Sequence, residues 1–311
     1  MEVGTSPLKW RDLEQSHIDE RAMRTNVAIL EFSASGTSPE MEILRNSADL
    51  RRRLGETDLI QDPSYARLFI VEDLSRDVIE ALGFKYDIDP LYFRSQISDY
   101  LWHKTSDPWV ELHDLPHVAS ERNHYNMRYM RPRYFELEDS LKVAKTQLGE
   151  FNVLRRLDED LSWYVRKKKK TFGPTVGLVR SKTSLWIRDK SVGQGVIGIL
   201  VVDPTLKHGH PLWGGPRNLK PCPSVRTNHT KFTPRKTLFE DVCYYACTMS
   251  QDEIKAIREQ PLAMALPIIS LVAAEWMSVV SYIISGLTDI EKLARSSTSP
   301  SSSDSCLLND A

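Results

Sequence analysis

The chain has 311 residues, of which 41% are hydrophobic and 27% charged, and its 41 Lys and Arg against 42 Asp and Glu leave a net charge of -1. This is globular composition, long enough for one large domain with helical appendages, and so even a balance supplies no global field to recruit nucleic acid or an anionic membrane. Cys222, Cys243, Cys247 and Cys306 are too scattered for a disulfide framework, and the start Met1-Glu2-Val3-Gly4 has no signal-peptide character, so a cytoplasmic, reducing setting is expected.

Residues 1–26 are polar and irregular and read as a flexible arm. An α/β domain is expected over residues 27–235, opening with a strand at 27–32, a loop at 33–39 and a short exposed helix at 50–54 with three consecutive arginines. Residues 68–71 form an apolar run of strand length. Asp73 or Ser75 can then cap a helix whose apolar positions Leu74, Val78, Ile79 and Leu82 make one stripe, with Gly83 as its end. A second helix follows at once, with Asp89 as N-cap, Pro90 at the first helical position, and Phe93, Ile97, Tyr100 and Leu101 on its buried face. Residues 110–123 read as loop. Strands are expected at 126–129, 151–154, 176–179, 184–187 and 196–202, the last apolar throughout, as in a strand covered on both faces. The sum is an α/β fold, a mixed β-sheet between helices.

Residues 207–235 form a long Pro-, Gly- and His-containing connection. A helical segment is expected over 236–295, with one helix at 238–248 and another opened by the capping box Ser250-Gln251-Asp252-Glu253. The Ser-rich tail, 296–311, should be disordered. Residues 261–287 are apolar enough to span a membrane, but Pro267 interrupts them and Glu275 sits near their centre, where a charge costs about 2.5–3.5 kcal/mol or more. Val272, Trp276, Val279, Ile283 and Leu287 fall near one helical face, and Glu275, Ser278, Tyr282 and Ser285 on another, the pattern of a helix docked against protein.

Several motifs have both a chemical and a structural reading. Gly193-Gln194-Gly195-Val196-Ile197-Gly198 satisfies G-x-G-x-x-G, but a strand follows where a phosphate-binding helix is required. The basic run Arg166 to Lys170 could bind phosphate, yet it lacks interleaved aromatics and reads as a solvated loop. Cys243 and Cys247 could hold zinc with Cys222, His208, His210 or His229, against the alternative that they are small core residues. Asp73, Asp77, Glu80, Asp87 and Asp89 form an acidic cluster of a kind that suits magnesium, but capping and favourable charge at two helix N-termini is the favoured reading. Asn228-His229-Thr230 matches a glycosylation acceptor that a chain in the cytoplasm would not use. His117, His124 and the other histidines have no motif around them, and no catalytic constellation is readable.

The segments Val71-Glu72-Asp73-Leu74-Ser75-Arg76-Asp77-Val78-Ile79-Glu80-Ala81-Leu82, Asp87-Ile88-Asp89-Pro90-Leu91-Tyr92-Phe93-Arg94 and Asp99-Tyr100 resemble the soluble N-terminal region of the CorA-like proteins of filamentous fungi, relatives of magnesium and zinc transporters. Arg133-Tyr134-Phe135, Phe151 to Arg156, Val179 to Trp186, Val202-Asp203-Pro204-Thr205, Pro211-Leu212-Trp213 and Ala274-Glu275-Trp276 continue the resemblance over roughly residues 65–290. It implies a soluble α/β domain followed by a stalk helix, with a possible regulatory magnesium whose ligands it does not assign. The Gly-Met-Asn tripeptide of the family's pore is absent from the sequence. The expectation is therefore a non-conducting, regulatory CorA-like domain with a truncated stalk and no enzymatic activity. Its expected partners are copies of itself or a full-length transporter. A cytosolic oligomerising protein and a protein anchored by residues 261–287 are the alternatives.

Overall fold

The computed structural model describes residues 14–32, 39–56, 65–97, 115, 117, 121–159, 174–188, 195–215, 218–219 and 235–298. The chain order is α1 (Gln15–Met23), β1 (Val27–Phe32), β2 (Glu40–Leu44), α2 (Ser47–Gly55), β3 (Ala66–Glu72), α3 (Arg76–Tyr86), α4 (Pro90–Ile97), β4 (His124–Phe135) and α5 (Glu138–Glu150). There follow β5 (Leu157–Glu159), β6 (Thr175–Ile187), β7 (Val196–Val202), β8 (His210–Pro211), a 3₁₀ turn (Leu212–Gly214), α6 (Leu238–Cys247), α7 (Gln251–Glu259), a second 3₁₀ turn (Pro261–Ala265) and α8 (Leu266–Thr298).

The eight strands form one mixed sheet in the order β2-β1-β3-β7-β6-β4-β8, with β5 pairing β6. Among these strands only β3 and β7 run parallel, in the register Ala66↔Val196 to Glu72↔Val202. Strand side chains alternate between faces, so each central strand feeds two cores. One face presents Ala28, Leu30, Phe32, Leu68, Ile70, Leu200 and Val202 to α6, α7 and the first turns of α8. The other presents Val27, Ile29, Phe69, Val71, Ile197, Ile199 and Val201 to α2, α3 and α4. Every residue of β7 is buried because both faces are covered. The result is the expected α/β fold, a mixed sheet between two helical layers. A third core, around Phe135, Leu141, Leu148 and Val179, fixes α5 against the outer ends of β4 and β6.

Local chemistry explains the helix boundaries. Ser75 Oγ accepts from the Val78 N–H to start α3, and Asp89 Oδ1 accepts from the Leu91 N–H at the start of α4. Both α6 and α7 begin with complete capping boxes, Thr237 with Glu240 and Ser250 with Glu253.

The structure corrects several expectations. Residues 15–23 of the supposed loose arm are helical, and Arg21 Nη2 donates to the Gly149 carbonyl at 2.7 Å. Residues 50–54 lie in a helix that is exposed only on one side, since Leu50 and Leu54 are buried. Residues 151–154 are not a strand; the Asn152 and Val153 N–H groups serve a side chain, as described below. The runs 176–179 and 184–187 are two parts of the single 13-residue β6. Gly83 does not end α3, which continues to an αL cap at Asp87. Residues 236–272 are not a separate stalk segment, because α6, α7 and the start of α8 form one layer of the domain itself. Helix α8 runs on to Thr298, into the expected tail, whose remaining residues lie outside the described ones. Tyr100 and Leu101 also fall outside them.

Candidate functional site

Two buried polar centres and one open cleft stand out. The first centre lies just past β7. Asp203 accepts from Arg155 Nε at 2.6 Å and Nη2 at 2.9 Å, from Gln96 Nε2 at 2.9 Å, and from the Lys182 N–H at 2.7 Å. Arg155 Nη2 also donates to the Gln96 carbonyl at 2.7 Å, and Ser184 Oγ donates to Gln96 Oε1. Arg155 and Asp203 side chains are 3% and 2% exposed, and both oxygens of the carboxylate are saturated by donors. A carboxylate so occupied has no lone pair left for substrate, so this centre holds α4, the loop after α5, β6 and β7 together.

Asp73 makes the second centre. It follows β3 in the left-handed region (φ 56°), and its Oδ1 accepts from the Asn152 and Val153 N–H groups at 2.8 and 3.2 Å. Its Oδ2 meets Arg24 Nη1 at 3.3 Å. Burial pushes its carboxyl above the usual range, against the pull of these donors. The other members of the acidic set have separate tasks. Asp77 and Glu80 pair with Arg51 and Arg76, Asp87 caps α3, and Asp89 caps α4. Among the described residues no three His, Cys, Asp or Glu side chains are grouped to hold a metal ion.

The cysteine set is dispersed in the same way. Cys243 is buried in the core, where burial raises its thiol to about 12. Cys247 lies against Met41 of β2, whereas His210 is in β8, at the opposite edge of the sheet. Gly198 sits inside β7, with Met264 over its Cα, so the glycine pattern opens a strand as expected. Cys222, Cys306, His229, the basic run from Arg166 to Lys170 and Asn228 lie outside the described residues.

The cleft is formed where α8 crosses β4. It has a volume of about 290 Å³, and Arg131, Arg133, Pro211, the Leu212–Gly214 turn, Arg235, Lys236, Asp241, Tyr245, Glu275 and Ser278 contribute to its lining. Arg131 and Arg133 are two apart on β4 and so share one face, with both side chains over nine-tenths buried as residues. Glu275 of α8 points at them, its Oε1 3.6 Å from Arg131 Nε. Arg131 Nη2 donates to Thr205 Oγ1 at 3.1 Å, and Arg133 Nη2 to the Leu206 carbonyl at 3.2 Å. Burial and the neighbouring Arg131 lower Arg133 to about 10, with Glu275 opposing. Burial likewise raises the Glu275 carboxyl, against the attraction of Arg131 and Arg133. At the other wall Arg235 Nε donates to Asp241 Oδ1 at 2.5 Å and its guanidinium stacks 4.0 Å from the Tyr244 ring centre.

Glu275 is legible in the sequence as the misfit of an apolar helix, but its partners are not. No periodic signal links Glu275 to β4. The alternation of Arg131 and Arg133 around Pro132 was the one local hint. No family model matches the chain, and no curated protein matches it.

Proposed function

We propose that this chain is a non-conducting regulatory module of CorA-like type, acting in the cytoplasm and associating through α8 with a second copy or with the stalk of a full-length transporter. No reaction belongs to this reading. The observation that carries it is an exposed seam on α8. Leu266, Ile269, Ala273, Trp276, Val280, Ile283, Leu287 and Ile290 recur at alternating spacings of three and four residues and all are exposed, the large ones by 41–56%. That is a heptad repeat over more than three turns of the pattern, which asks for another helix rather than for water.

The seam is distinct from the face that docks α8 on its own domain, which uses Ile268, Leu271, Val272, Glu275 and Val279. The stripe expected from sequence is thus divided: Val272 and Val279 face inward, Trp276, Ile283 and Leu287 outward. Half-exposed side chains in this number leave roughly 700–900 Å² of apolar surface, about one partner's share of a standard interface. A soluble monomer rarely exposes so much in one patch. Further support comes from where the segments of the CorA-like resemblance lie: Asp203 with Arg155, Asp73 with Asn152, and Glu275 beside Arg131 and Arg133 are the joints of the fold.

One observation favours a second reading, in which residues 261–295 anchor the protein in a membrane. They are long and apolar enough to cross one, although 39% of the most apolar stretch is buried inside the protein. Sedimentation tests the first reading. The parent should run as an oligomer, and Trp276→Asp with Ile283→Asp should run smaller with its circular dichroism intact. A monomeric parent refutes association through the seam. Retention of the parent in the pellet after alkaline carbonate extraction would select the anchored reading instead.

A further inference from the structure

We propose that the cleft between β4, α6 and α8 is a binding site for a small phosphate-bearing molecule. The cleft carries an imbalance of charge. Arg131 and Arg133 are both buried, and among the described residues the carboxylate in ion-pair distance of them is that of Glu275, with half-buried Glu72 adding a longer-range attraction to Arg131. Among the described residues Arg131 Nε has no acceptor at hydrogen-bond distance, with Glu275 Oε1 at 3.6 Å, and Arg133 makes no ion pair. A buried guanidinium is costly unless a hydrogen-bonded anion meets it, and among the described residues Arg133 has no carboxylate in ion-pair distance.

The remaining lining sharpens this. Arg235 is matched by Asp241, but Lys236 is exposed at the mouth and makes no ion pair among the described residues. Among the described residues the lining therefore holds four cations, Arg131, Arg133, Arg235 and Lys236, against two anions, Asp241 and Glu275, a net of +2. In a chain of net charge -1 this is a local concentration. Arginine forks match the oxygen geometry of phosphate and carboxylate, and a dianion balances the net charge of the lining. The volume of about 290 Å³ suits a phosphate monoester with a small body rather than a whole nucleotide. Tyr245, Leu212 and Leu271 offer that body an apolar wall.

Glu275 belongs to the helix that carries the exposed seam, so an anion between Arg131 and Arg133 competes with the ion pair that helps to seat α8. The site nevertheless stands without any statement about association, and its test does not depend on one. Isothermal titration of the full chain at low salt with inorganic phosphate and glycerol 3-phosphate should give saturable one-site binding. Arg133→Gln should weaken it by about tenfold or more, the loss expected for a charge-assisted contact. Lys236→Gln replaces an exposed residue that the fold does not need, and should weaken binding severalfold with unchanged thermal unfolding. Lys142→Gln, on the far helix α5, should leave binding unchanged. Absence of saturable binding, or binding indifferent to both cleft substitutions, overturns the proposal. Succinate binding more tightly than phosphate overturns its assignment to phosphate.

Discussion

Replacing Asp203 by Asn should be among the most damaging conservative changes in this protein. The substitution keeps the volume but removes the charge and turns one acceptor into an NH₂ group facing donors. Asp203 receives four hydrogen bonds, two of them from Arg155, and both side chains are almost fully buried. Breaking one partner of a buried pair leaves the other charge desolvated and costs about 3–5 kcal/mol. With a urea slope of about 2 kcal/mol per molar, the unfolding midpoint should fall by roughly 2 M. Arg155→Met should cost a similar amount. The double variant Asp203→Asn with Arg155→Met should cost clearly less than the sum of the singles, because no orphaned charge remains. Urea titration followed by fluorescence and circular dichroism measures all of these. A loss under about 1 kcal/mol for Asp203→Asn, or additive costs in the double variant, would refute the account of Asp203 as a structural joint.

The raised Glu275 carboxyl predicts a pH signature. In the folded state it holds its proton more tightly than in the unfolded chain, so its contribution favours folding at low pH and is lost as pH rises from about 4.5 through the raised value. The stability of Glu275→Gln relative to the parent should therefore grow over that window, and urea midpoints taken between pH 4 and 8 that stay parallel would contradict it. Gly209→Ala should destabilise by about 1–3 kcal/mol in thermal or urea unfolding, because Gly209 has φ +74° and an added Cβ would come within 2.7 Å of the Phe135 ring. Expression of the chain in cells deficient in divalent-cation uptake should not restore magnesium or zinc accumulation; restored uptake would end the non-conducting reading.

The sequence by itself determined those features whose cause is local. β7 was legible because an apolar run that satisfies both faces has no other use, and the capping residues Ser75, Asp89 and Ser250 were legible because their partners lie two or three residues away. The mixed sheet between helices followed from such elements taken together. The tertiary structure alone decided what the charged residues do. Asp203 meets Arg155 across 48 residues and Gln96 across 107, and no periodicity carries that distance. The same holds for Asp73, which read as a possible cation ligand until the Asn152 and Val153 N–H groups, 79 and 80 residues away, took up its oxygen. Helix α8 shows the limit most clearly. Its apolar residues are legible as a stripe, but which of them are buried depends on how far the domain surface reaches along the helix: Ile268, Leu271, Val272 and Val279 pack on it, whereas Trp276 is exposed and, beyond Val279, so are Ile283 and Leu287.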